Sequence, residues 1–204
     1  PVSSEVAYAS CESAASLIYF DRLCRTLHAL NLLAQREKVG GYLQLAIDPR
    51  HLLAVQNQHG LAYEAILQRC GLAPEDIVLE FSASQLGSDG RLAAGVANYR
   101  RRGYRLALRD PVLSRDVAAV LALQPEFVRF DGKPDGEALA ACRQAGIAIE
   151  VSGIESADDF AVAKAAGFAF GLGNLFGAAQ SDCRPTHSTP RVAYNSSSLS
   201  GTES

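Results

Sequence analysis

Methionine is absent from this sequence, no two cysteines form a CxxC pair, and no apolar run approaches the ~18 residues needed to span a bilayer. The five cysteines, Cys11, Cys24, Cys70, Cys142 and Cys183, are scattered and odd in number. That argues against a disulfide framework or a zinc knuckle and leads us to expect a reducing, cytoplasmic setting. The N-terminus lacks the basic-then-apolar order of a signal peptide, so a soluble chain is expected. A start at Pro1 fits either removal of an initiator Met or excision from something longer, and the sequence does not separate the two. An excess of basic charge is also missing: the net charge is -3. A dedicated nucleic-acid binder needs that excess to displace counterions from phosphates, so nucleic acid is not an expected partner.

What is present is material for one packed domain. Of the 204 residues, 48% are hydrophobic and 20% charged, a balance that excludes a wholly disordered chain. Composition changes near residue 181, where a Ser/Thr/Pro-rich segment has too few apolar groups to offset the entropy of ordering it. The expectation is a domain over 1–180 and a disordered tail over 181–204. Within the domain, short β-branched or aromatic runs at 42–47, 77–81, 104–108, 126–130, 147–151 and 168–170 alternate with Ala/Leu-rich stretches of helical period. Their starts fall 35, 27, 22, 21 and 21 residues apart, close to a minimal βα unit. Glycines at 103, 146 and 167 stand where helices should stop. A long amphipathic helix is predicted over 12–37 and a further strand over 5–8, which gives seven strands of a parallel α/β architecture and points to a barrel.

A doubly wound sheet would show the same alternation, so the polar residues must decide. Barrel sites gather at the carboxyl ends of several strands. Here those ends carry Asp48, Glu80, Arg109 with Asp110, Arg129 with Asp131, and Ser152 with Glu155. Strand ends also meet water, and on pattern alone a site and a solvated surface are about equally supported. The GLGN stretch at 171–174 lacks the helix start and third glycine of a dinucleotide fingerprint. His28, His51 and His59 have no partner at metal-ligand spacing and read as surface or satisfied polar groups. Arg100, Arg101 and Arg102 end a helix, where cations suit the dipole, and Cys142 reads as a small buried residue.

Taken in order, the strand ends resemble the EAL-domain family, the bacterial cyclic di-GMP phosphodiesterases and their inactive relatives. LAIDPRHL at 45–52 is similar to the family's VNxSxRxL, and LAPEDIVLEFSAS at 72–84 to LPPExLxLEITES. YRLALRDP at 104–111 is similar to the strand ending in DDFG, and LALQPEFVRFD at 121–131 to the segment ending in KID. IEVSGIES at 149–156 resembles AEGVET, and GFAFGLGNLFG at 167–177 resembles GCDxxQGYLFG. Six motifs agree in order and spacing over residues 42–177; before residue 42 the match is weak, with Glu5-Val6-Ala7 as a stand-in for the Glu-Ala-Leu signature. The resemblance implies an α/β fold, an EAL-like modified TIM (β/α) barrel. The chain is shorter than the family's usual domain of about 240 residues, so the barrel is expected to be trimmed at its N-terminus.

Active family members hold divalent metal with a signature Glu, an Asn, a Glu and an aspartate pair, and complete the site with a Lys and another Glu. Carried across, the Asn becomes Ala46, the Glu is kept as Glu80, the aspartates become Arg109 and Asp110, and the Lys becomes Arg129. The Asp of KID is Asp131, the two glutamates of AEGVE become Ser152 and Glu155, the Gln of QGY becomes Leu172, and the signature's Arg becomes Ala9. The glycine-rich loop after the aspartates reads PVLSRDVA, and the Glu that braces it is Ala83.

These departures imply no metal and no cofactor, with Arg109, joined by Arg129, as counter-charge for Glu80, Asp110 and Asp131. The expected function is a catalytically inactive EAL-like regulatory module that binds a protein partner, such as a transcription, motility or signalling regulator. A non-catalytic cyclic di-GMP receptor is the alternative, weakened by Ala9 and Leu172; a surviving phosphodiesterase ranks third. A homodimer is left open.

Overall fold

The computed structural model describes residues 4–35, 41–55, 60–86, 89–109, 121–132 and 136–178. Asp110, the loop that follows it, His59, and the expected tail over 181–204 lie outside the described residues.

Six strands alternate with helices. Two helices come first, α1 (Ser4–Ala9) and α2 (Ala14–Gln35). Next come β1 (Leu43–Ala46), α3 (Pro49–Ala54), α4 (Leu61–Arg69), β2 (Ile77–Ser82), α5 (Ala83–Leu86) and α6 (Gly90–Arg101). The chain continues with β3 (Arg105–Arg109), β4 (Phe127–Asp131), α7 (Gly136–Gln144), β5 (Ala148–Ser152), α8 (Ala157–Ala165) and β6 (Phe170–Gly171). The strands form one sheet in the order β1-β2-β3-β4-β5-β6, every pair parallel. Each strand therefore lies beside its neighbours in sequence, the order of a singly wound sheet and not of a doubly wound one.

The predicted helix stops are present: Gly103, Gly146 and Gly167 take φ of +91°, +70° and +69°. At Gly103 the positive φ is what disfavours larger residues; a Cβ there would also meet Glu75 Oε1 at 2.7 Å, the end of an exposed side chain that can turn aside. Helix starts are fixed by side chains. Asp48 caps α3 by accepting from Arg50 N at 2.8 Å, with Pro49 at the first helical position. Ser156 and Asp159 form a capping box at α8.

The expected strand over 5–8 is instead part of α1. Its sequence, Glu-Val-Ala-Tyr, is compatible with either state, and tertiary contacts decide. Tyr8 stands edge-on to Phe20 with ring centroids 5.0 Å apart and donates through its hydroxyl to Asp21 Oδ1 at 3.1 Å, which docks α1 on α2. The seven expected strands are thus six among the described residues, and the barrel is a half-barrel that curls without closing.

Strand parity separates two faces. Leu45, Ile77, Leu79, Phe81, Leu106, Leu108, Val128, Ile149 and Val151 point outward into the main core beneath the helices. The opposite face is concave and holds a small apolar cluster, Val78, Ala107 and Phe127, packed with Tyr42 and Ala148. The curl brings the two sheet edges near each other: Tyr42, before β1, has its ring centroid 5.2 Å from that of Phe127 and 6.1 Å from that of Phe170 on β6. Arg105 lies over Tyr42, 4.4 Å from the ring centroid.

Helix α2 docks through a buried polar cluster that sequence reading did not assemble. Asp21 and Arg25 pair one turn apart, Arg25 Nη2 lies 3.2 Å from His51 Nε2, and Tyr63 donates to Arg25 O at 3.2 Å. His51 Nδ1 lies 3.1 Å from Asp21 Oδ2, and its Nε2 faces the Arg25 guanidinium, a group that can only donate. His51 is thus buried within this polar cluster, whereas His28 is exposed. Burial pushes the Asp21 carboxyl up, and the adjacent Arg25 charge opposes it.

Candidate functional site

Alternation along the strands decides which side chains enter the concave face. Residues 44 and 46 of β1, 80 and 82 of β2, 107 and 109 of β3, 129 and 131 of β4, and 150 and 152 of β5 all share it. In register, Arg109 is the neighbour of Arg129 and Arg129 the neighbour of Glu150. Two cations thus stand side by side on adjacent strands, an arrangement that is unfavourable unless a carboxylate lies between them.

Glu80 is that carboxylate. It is only 4% exposed, and Arg129 Nη1 lies 2.7 Å from its Oε2 while Arg109 Nε lies 3.6 Å from its Oε1. The Arg129 side chain is 17% exposed and that of Arg109 42%, so the nearer guanidinium is also the better shielded. Sequence reading made Arg109 the principal counter-charge, whereas the structure sets Arg129 closest to Glu80.

Below this pair lies a residue pair that sequence reading missed. Gln44 donates from Nε2 to Glu80 Oε2 at 2.8 Å and to Glu150 Oε2 at 3.0 Å, one amide bridging two buried carboxylates. Burial pushes the Glu150 carboxyl up, the Gln44 hydrogen bond opposes this, and the Glu80 charge adds to it. The Tyr42 hydroxyl is pushed up to about 12, first by burial and then by the Glu150 charge. A signal was available: Glu150 sits inside the apolar run IAIEV, two residues before Ser152 and therefore on the same face.

The other predicted residues divide into separate contacts. Ser152 Oγ donates to Asp131 Oδ1, joining the ends of β4 and β5. Glu155 accepts from Asn174 Nδ2 at 2.8 Å and from Asn174 N at 3.3 Å, which ties it to the loop after β6. Asp48 is occupied as the α3 cap and in an ion pair with Arg50 at 2.8 Å. Leu172 and Ala46 line the concave face without a side-chain polar atom.

Two cavities meet at Glu80 and Arg109. One, of about 520 Å³, lies inside the half-barrel between Tyr42, Gln44, Arg129, Glu150 and Phe170. The other, of about 450 Å³, lies toward Tyr8, Asp48, Ser82 and Gln85. Among the described residues no group of three or more His, Cys, Asp or Glu is placed to hold a metal ion. Among them, too, no helix is long and apolar enough to cross a membrane.

No family model matches the chain, and no curated protein matches it. Solved structures do. Klebsiella pneumoniae BlrP1, in a calcium/cyclic di-GMP complex, aligns with a TM-score of 0.68 at 18% identity over 82% of this chain and 46% of its own. The EAL enzyme Bd1971, in its cAMP and cyclic di-GMP bound form, aligns with a TM-score of 0.71 at 16% identity over 87% of this chain and 53% of its own. The Xanthomonas citri FimX EAL domain, in complex with cyclic di-GMP, aligns with a TM-score of 0.70 at 16% identity over 87% of this chain and 76% of its own. The chain spans about half the length of BlrP1 and Bd1971. These likenesses establish the fold: an EAL-like half-barrel, six parallel strands of a trimmed TIM-like architecture.

Proposed function

We propose that this chain is a catalytically inactive EAL-like module of bacterial cyclic di-GMP signalling, acting in the cytoplasm by binding a protein partner without hydrolysing the cyclic dinucleotide. A transcription, motility or signalling regulator is the kind of partner the reading calls for. The observation that carries it is the seating of Arg129 and Arg109 on Glu80. In the active enzymes that this sequence resembles, the corresponding carboxylate faces divalent metal.

The residues present do not fit such an ion. Magnesium relies on carboxylate oxygens in near-octahedral geometry. Glu80 has both oxygens turned to guanidinium groups, and Ala46 supplies no oxygen where the family places an Asn. Arginine stays protonated in proteins, so each guanidinium is a fixed repulsive charge. Two unit charges 4 Å apart cost about 4 kcal/mol at an effective dielectric of 20, and a divalent ion roughly doubles that.

A second reading, a receptor that binds cyclic di-GMP without cleaving it, is favoured by one observation. The 520 Å³ cavity has the size of a ligand site and combines the aromatic rings of Tyr42 and Phe170 with Arg109. FimX, whose fold this chain shares, is itself in complex with cyclic di-GMP.

Titration calorimetry of the full chain with cyclic di-GMP, with and without Mg²⁺ or Mn²⁺, separates the readings. The expected result is no turnover of the dinucleotide and no heat from metal alone. Arg109→Asp should restore neither, because Ala46 and Ser152 remain. Metal-dependent hydrolysis by the wild type or by this single variant overturns the proposal, and micromolar binding without turnover replaces it with the receptor reading.

A further inference from the structure

Helix α2 is built inside out. Of its three charged residues, Asp21 and Arg25 are fully buried, while Tyr19, Leu23, Leu27 and Leu30 are 71%, 42%, 50% and 48% exposed. At 3.6 residues per turn these four fall within about 80° of arc. The buried residues Leu17, Asp21, Arg25 and Ala29 occupy the opposite side. A surface helix ordinarily turns its apolar stripe to the core and its charges to water. Here the core side is stabilised by the Asp21–Arg25–His51 cluster, and the apolar stripe is left on the outside.

The outer face is also poor in charge. The exposed residues of α2 are Ala, Ser, Tyr, Leu, His and Asn only, in a chain where one residue in five is charged, and the half-buried Arg22 borders the stripe beside Tyr19. The centre of such a face offers nothing to an acidic or basic partner, and it sets no like-charge repulsion there against an identical copy of itself.

We propose that this stripe is the interface of a homodimer in which the α2 helices of two copies pack antiparallel about a two-fold axis between Leu23 and Leu27. The spacing of the stripe is what selects a second copy. Successive steps of four, four and three residues are nearly symmetric about the midpoint, so an antiparallel two-fold sets Tyr19 against Leu30 of the second copy and Leu23 against its Leu27. The same patch then serves both subunits, as an isologous contact requires. A specific interface needs about 1,000 Å² in total, and the small exposed residues Ala15, Ser16, Asn31 and Ala34 beside the stripe let two helices approach closely enough to bury it from both copies. The dimer leaves the strand-end cavities uncovered and does not depend on the function proposed above.

Sedimentation or light scattering of the full chain at about 50–100 µM tests it, a range that detects a dimer of micromolar or tighter affinity. The expected mass is that of two chains. Leu27→Glu, which by symmetry enters the interface twice, should weaken the dimer at least about 100-fold with an unchanged far-UV circular dichroism spectrum, as should Leu23→Glu. Mixing a Leu23→Lys chain with a Leu27→Glu chain should restore a dimer that neither forms alone, because these positions face each other only in the proposed register. A monomeric wild type across that range, a Leu27→Glu variant as dimeric as the wild type, or a mixture that stays monomeric overturns the proposal.

Discussion

Removing the guanidinium of Arg129 should cost far more than removing that of Arg109, although both reach the same carboxylate. In Arg129→Leu the Glu80 side chain stays buried and keeps the Gln44 hydrogen bond at 2.8 Å, with Arg109 3.6 Å away. Breaking a buried ion pair by deleting one partner typically costs 3–5 kcal/mol. The two remaining contacts bring the expectation to the low end, about 3 kcal/mol. Arg109 is 42% exposed and lies beyond hydrogen-bond reach of Glu80, so its contact is screened as a surface pair is, and Arg109→Leu should cost less than about 1 kcal/mol. Glu80→Gln falls between, at about 1–2 kcal/mol, because it strands a guanidinium that can still be hydrated from the cavity and also relieves the Glu80–Glu150 repulsion.

Urea unfolding of the full chain and its single and double variants at neutral pH measures these differences. The Glu80–Arg129 cycle should give a coupling above about 1.5 kcal/mol and the Glu80–Arg109 cycle one below about 0.5 kcal/mol. If Arg109→Leu cost as much as Arg129→Leu, or if the two couplings were equal, the inference from distance and shielding to energy would be wrong.

Two further outcomes follow from the same face and its rim. The Glu150 carboxyl is raised above its ordinary value near 4.5 by burial, so its protonated form is the one that the fold favours; that stabilisation is complete below the ordinary value and is lost as pH rises through the raised one. Glu150→Gln cannot titrate, so the stability of the wild type relative to this variant should fall as pH rises from the ordinary carboxyl value through the raised one, and a difference that stays flat by urea titration would contradict the burial argument. At Gly173, a Cβ would lie 2.0 Å from the Ile154 carbonyl oxygen. Gly173→Ala must therefore move the loop that carries Asn174 to Glu155, costing about 1–3 kcal/mol and lowering Tm by several degrees, and an unchanged melt would refute the close approach.

Much of the fold was legible because strands and helices announce themselves by different periods. Short runs such as IVLEF and IAIEV cannot fill a helical turn pattern, and glycine stops at 103, 146 and 167 follow α6, α7 and α8. The segment over 5–8 was not legible, because four residues carry no period and the contacts of Tyr8 with Phe20 and Asp21 decide its state. In α2 the pattern was visible but its sense was not. The sequence marks α2 as amphipathic without showing which side is buried, and Asp21 and Arg25, four residues apart, are buried together only where His51 arrives from α3 to face both. At the site, reading strand ends picked out Glu80, Arg109, Arg129, Asp131 and Ser152, which the structure places on the concave face, Glu155, which it ties to Asn174, and Asp110, which lies outside the described residues. It missed Gln44 and Glu150, which lie one pleat deeper, because an end-of-strand rule stops at the last turn of the pleat.

That deeper layer changes how the lining should be counted. Among the described residues, the concave face receives three carboxylates, Glu80, Asp131 and Glu150, and three guanidiniums, from Arg105, Arg109 and Arg129. Glu80 is paired with two of the three, Arg105 rests on the Tyr42 ring, and Glu150 shares the Gln44 amide with Glu80. A lining that balances its own charge has no need of a bound cation to hold its carboxylates together, and adding a divalent ion would leave two positive charges uncompensated in a partly shielded space. Reversing one guanidinium, as in Arg109→Asp, shifts the balance of these groups by two charges toward negative while leaving the Arg129–Glu80 contact in place. The carboxylate nearest to any incoming ion would still be occupied, which is why a single reversal is expected to make the cavity more acidic without making it a metal site.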